Sequence, residues 1–180
     1  VEKVLGVERS IAAASFGLVL VLLVAGSFPL WARVARRVGK GAALSRAILL
    51  LVLALLLVPA PHFLPGALKI AVGYALVALG AVAISAYVLM PYAVVADLAH
   101  WYEVQRGESR AGLFTGFEGI PINVFESLAY AVTGYLMSLP NAPGANYTEG
   151  LLLWGFVAAA FALCALAILR KTNVDPFLKR

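Results

Sequence analysis

Two carboxylates and an amide, Glu118, Asn123 and Glu126, stand inside a stretch that is otherwise apolar, with Pro121 between them. On a helix, eight residues make about two turns with roughly 80° of drift, so the carboxylates lie on roughly the same side and Asn123 nearer the flank. An ionised carboxylate in hydrocarbon costs on the order of several kcal/mol, so each must face a cavity, meet a partner or be protonated. Pro121 leaves a backbone carbonyl without its donor, as interrupted helices beside binding sites do. The chemistry this set supports is capture of a proton or cation, or hydrogen bonding to the hydroxyls of a polar solute. Glu118, nearer the helix start, can instead be hydrated or pair with Arg110.

A second set lies in PYAVVADLAHWYEVQRGESRAGL, from Pro91 to Leu113, where charge, turn residues and aromatics gather between two apolar runs. Asp97 is expected to close the helix before this hinge, and Arg110 to open the helix after it. Asp97 and Glu103 facing Arg110, with Arg37 from an earlier basic stretch, make an expected cytoplasmic gate, in which carboxylate–guanidinium contacts form in one state and break in another. The alternative is a solvated loop whose exposed ion pairs are worth under about 1 kcal/mol. Tyr87 and Trp154 are candidates to stack on a solute, although aromatics in such runs also serve as packing or interface residues.

The elements that must position these groups are membrane helices. The 180 residues are 63% hydrophobic and 13% charged, whereas soluble domains run at about 45–50% apolar and about 25% charged. Five apolar stretches approach the roughly 20 residues a helix needs to cross the hydrocarbon core, at about 11–31, 47–64, 68–95, 111–139 and 151–169. WARVARRVGKGAALSR is expected as a loop after the first, PAPHFLPG as a proline turn after the second and NAPGANYTEG as a polar turn before the fifth. Eleven of the 14 Lys and Arg fall in the first loop, the hinge and the C-terminal tail. The N-terminus of the chain is therefore expected outside and the C-terminus in the cytoplasm.

The same clustering argues against nucleic acid as the partner of a chain with net charge +5, because no basic face is formed. Arg33, Arg36, Arg37 and Lys40 read as topology anchors meeting anionic lipid, or as part of the gate. With one cysteine, Cys164, there is neither a disulfide framework nor a thiolate metal site. His62 and His100 fall on opposite expected sides of the membrane, and no nucleophile has a plausible base. No enzyme and no cofactor are expected.

With the spans placed, two stretches resemble the C-terminal half of the glycoside–pentoside–hexuronide:cation symporters, the melibiose-carrier branch of the major facilitator superfamily. Ala96, Asp97, Glu103, Gly107, Arg110, Gly112 and Leu113 match that family's loop after the tenth helix and the opening of the eleventh. PLWARVARRVGK, from Pro29 to Lys40, resembles its loop after the eighth helix, and VEKVLG the end of its seventh. This chain differs at His100, Ser109 and Ala111, and Asn123 stands where sugar symporters of the group often carry Lys. The resemblance implies an all-α bundle forming helices eight to twelve of a twelve-helix carrier in the cell membrane. The carrier would move a sugar or glycoside by alternating access, with Na⁺ or H⁺ as the coupling ion. It also implies a C-terminal fragment whose N-terminal helices are supplied from elsewhere. Two alternatives stand beside it: a carrier of another cargo, such as a lipid or drug, and a non-transporting membrane subunit.

Overall fold

In a computed structural model, the described residues are 9–108, 110–144, 147–172 and 174; the side chains of 9–13, 16, 111, 115 and 118 lie outside the description. Among the described residues, five α-helices follow one another: α1 Arg9–Val38, α2 Lys40–Leu56, α3 Gly66–Arg106, α4 Ala111–Met137 and α5 Glu149–Lys171. The proline-rich turn after α2 winds into a short 3₁₀ helix, Ala60–Phe63. The structure is thus the expected all-α bundle.

Among the described residues, four segments are long and apolar enough to cross a membrane: Gly17–Val38, Lys40–Phe63, Gly66–Arg106 and Glu149–Lys171. The remaining expected span, α4, is 27 residues long. Pro121, Asn123 and Glu126 interrupt its apolar run, and it is not among the four.

Two boundaries differ from expectation. The basic stretch after the first span is helix rather than loop: α1 runs to Val38 and α2 starts at Lys40, with Gly39 alone between them at φ 89°. Glycine enters this region without the steric cost a side chain imposes, so one residue suffices for the break. Nor does Asp97 end the helix before the hinge. α3 continues through Pro91 to Arg106 and stops at Gly107, φ 72°, whose N–H bonds the Glu103 carbonyl at 2.8 Å. Hydropathy marks where hydrocarbon ends, not where backbone hydrogen bonding ends. The 41 residues of α3 extend about 60 Å, twice the thickness of the core of about 30 Å, so its charged turns stand outside as helix.

α2 is packed between α3 and α5, α1 lies against α3, and α4 touches α5 and, less extensively, α3. Ala43 and Ala47 on α2 and Ala86 on α3 are buried beside Trp31 and Met90. Small side chains let the helix backbones approach closely where lipid supplies no hydrophobic drive. The buried Trp31 indole donates from Nε1 to the Val82 carbonyl at 2.7 Å, which satisfies the one polar atom of the ring.

At the opposite end of the bundle, His62 of the 3₁₀ turn is hydrogen-bonded through Nδ1 to the Tyr147 hydroxyl. The two rings meet edge to face at 5.8 Å and 86°. Ala142 N–H to the Tyr147 carbonyl (2.8 Å) and Glu149 N–H to the Pro140 carbonyl (2.9 Å) close the α4–α5 turn around it. Burial pushes the Tyr147 phenol up from its ordinary value, further from ionisation. Y147F should cost about 1 kcal/mol, read as a lowered Tm in detergent. Because both residues serve one bond, adding H62A to Y147F should cost much less than H62A costs alone.

Candidate functional site

α4 carries its polar groups on one side. Taking about 100° per residue, Gly116, Gly119, Asn123, Glu126, Ser127, Tyr130, Thr133 and Gly134 fall within an arc of about 120°. The opposite side holds Phe117, Val124, Leu128 and Tyr135. Most of α4 is uncovered by protein, Glu126 included, and burial begins only near its end, at Leu136. Asn123 donates from Nδ2 to the Gly119 carbonyl (2.9 Å) and Ser127 from Oγ to the Asn123 carbonyl (2.8 Å). Both are satisfied by their own helix, and the Glu126 carboxylate has no hydrogen-bond or ion-pair partner among the described residues. As the single expected span implies, α4 passes through Pro121 as continuous helix, and the proline, lacking an N–H, leaves one carbonyl of the preceding turn without its helical donor. The Glu118 side chain, and with it any pairing to Arg110, lies outside the described residues.

Trp154 of α5 reaches α4, where its Nε1 donates to Thr133 Oγ1 at 3.3 Å. Thr133 lies at one edge of the same polar arc, about two turns along the helix from Glu126, so this indole borders the arc near its end. Tyr87 is exposed on α3, and nothing described joins it to them.

The expected gate residues are not brought together. Asp97 accepts from Lys40 Nζ at 2.6 Å, and the same ammonium donates to the Ala93 carbonyl at 2.9 Å. Arg110 instead donates to Glu108, from Nη2 to Oε2 at 2.8 Å, and its guanidinium carbon lies 5.7 Å from the centroid of the Tyr102 ring. Glu103 and Arg37 are exposed, and neither side chain has a partner among the described residues. The reason is local: α3 stays helical past Asp97, which turns that carboxylate toward the start of α2 rather than across the hinge. The partner sequence reasoning missed is Lys40, grouped with the anchors. Its signal was Gly39 directly before it, a break that sets the ammonium on the first turn of a new helix.

The Lys40 and Asp97 side chains are 27% and 33% exposed. A partly covered, charge-assisted bond of this kind is worth about 1.5–3 kcal/mol. K40D or D97K alone should therefore lower Tm in detergent, and the double reversal should recover most of the loss.

Apolar helices of this length and number, joined by short turns, define a multi-pass helical membrane protein. The family model of MFS/sugar transport proteins matches residues 1–173. The chain belongs to that family and is a major facilitator transporter, which points to carriage of a small-molecule solute rather than to catalysis. No curated protein and no solved structure matches it.

Proposed function

We propose that the chain serves cation-coupled symport of a sugar or glycoside by alternating access, as the C-terminal half of a melibiose-carrier-like transporter in the cell membrane. The observation that carries this reading is the uncovered polar arc of α4 with Glu126 at its middle. Such a face is costly against lipid and fits a wall of an aqueous path. Glu126 is the proposed coupling group for Na⁺ or H⁺. Glu118 and Asn123 lie on the same helix, and Trp154 and Tyr87 are the proposed stacking surfaces for the solute.

Further helices of the carrier, which the resemblance places before this chain, would face the arc across the path. In the orientation given by the basic residues, the Lys40 end is cytoplasmic. There the Lys40–Asp97 pair acts as the inner latch, and Arg110, Glu103 and Arg37 are partners it exchanges with when the path reopens. Asn123 in place of Lys favours a second reading, a carrier of another organic solute.

The test is uptake into vesicles holding the whole carrier under an imposed Na⁺ or H⁺ gradient, with glycosides, pentoses and uronides as solutes. Gradient-dependent uptake of one of these supports symport. Absence of cation dependence for all of them rejects it, and uptake of a drug or lipid analogue instead supports the second reading.

A further inference from the structure

The Gly39 end of the bundle carries more charge than the proposed path and latch employ, since of the basic residues around Gly39 only Lys40 and Arg37 take part in the latch. Lys40 is drawn to Asp97, but Arg33, Arg36, Arg37 and Arg46 are exposed and have no hydrogen-bond or ion-pair partner among the described residues. Arg33, Arg36 and Arg37 fall within about 100° of one another on α1. The same side, followed along the helix, presents Leu18, Leu22 and Leu30, all exposed. On α2 the pattern repeats in reverse: Arg46 is followed on its own side by exposed Leu49, Leu53 and Leu56.

The lengths are informative. From Arg33 back to Leu22 is about 16 Å and from Arg46 on to Leu56 about 15 Å, each close to half of the hydrocarbon core of about 30 Å. Arg33 and Arg46 also stand at similar distances from Gly39 on its two sides, so each helix carries its arginine at a similar depth, at the foot of its own leucine stripe.

We propose that the α1–α2 turn is a binding site for an anionic diacyl phospholipid. Arg33, Arg36, Arg37 and Arg46 hold its headgroup, and the leucine stripes of α1 and α2 take its acyl chains. A guanidinium fork matches a phosphate's oxygens, and leaflet-length apolar stripes match acyl chains. A soluble anion satisfies only the first of these features. A zwitterionic lipid brings its own ammonium and leaves the four guanidiniums without net countercharge. The site is independent of which solute the carrier moves.

The experiment measures lipid retained by the purified protein in mixed micelles of phosphatidylglycerol and phosphatidylcholine, by native mass spectrometry. Phosphatidylglycerol should be retained selectively and should resist displacement by millimolar inorganic phosphate. R33Q/R36Q/R37Q should weaken retention about 10- to 100-fold and R46Q by less, whereas R33K/R36K/R37K should keep part of it. R170Q/K171Q, at the end of α5, should leave it unchanged and serves as the folding and charge control. Equal retention of the two lipids, undiminished selectivity in the triple Gln variant, the same loss in the α5 control, or displacement by phosphate would each overturn the proposal.

Discussion

Replacing Glu126 by Gln is expected to reduce accumulation of solute against its gradient strongly while leaving exchange down the gradient measurable. The substitution keeps shape and hydrogen-bonding capacity and removes the titratable oxygen, so it separates coupling from packing. Glu126 lies near the middle of a 27-residue helix, and its carboxylate has no protein partner among the described residues. No ion pair is therefore broken, and no oppositely charged group is left orphaned. Coupling free energies between sites run at about 1–3 kcal/mol, so gradient-driven uptake should fall about 5- to 150-fold. E149Q, at the exposed start of α5, is the control and should transport as the unmodified protein does. Unchanged accumulation in E126Q would remove this residue from the coupling machinery, whatever the solute.

The second large effect is expected from the smallest substitution. α5 crosses α2 where Gly155 rests on the Leu55 backbone: a Cβ there would collide with the Leu55 carbonyl oxygen and sit 3.0 Å from Val58 Cβ. A backbone oxygen cannot swing aside as a side chain can, so G155A must push the helices apart. Overpacking of this kind costs about 1–3 kcal/mol. It should appear as a lowered Tm, with reduced transport because the displaced α5 carries Trp154 away from Thr133. Gly80 of α3 has open space around its missing Cβ, and G80A should be neutral or slightly stabilising through helix propensity. If both glycines tolerate Ala equally, the close α2–α5 crossing is not what holds this bundle.

Most of the fold was legible because the bilayer imposes one rule. A segment of about 20 apolar residues must be a helix, since lipid offers no partner to a free N–H or carbonyl. What hydropathy did not show is how far helices run beyond the hydrocarbon. Charged residues from Arg33 to Lys40, and from Asp97 to Arg106, looked like loops, yet a charged residue in water is compatible with a helical backbone. Gly39 and Gly107, at φ 89° and 72°, mark the real breaks. For the candidate site, the spacing of Glu118, Asn123 and Glu126 on one helix could be read from periodicity. The partner of Asp97 could not, because the choice among Arg37, Lys40 and Arg110 depends on which helices pack side by side.

The sequence by itself determined that this chain is an all-helical membrane protein, roughly where its helices run, and that α4 carries ionisable groups an apolar solvent would reject. These follow from composition and from the short-range geometry of the helix. Only the tertiary structure decided that Lys40 holds Asp97, that His62 and Tyr147 join two turns 85 residues apart, and that the polar arc around Glu126 is left uncovered. Each of these depends on how distant segments pack against one another, an arrangement that local hydropathy and helical periodicity do not encode.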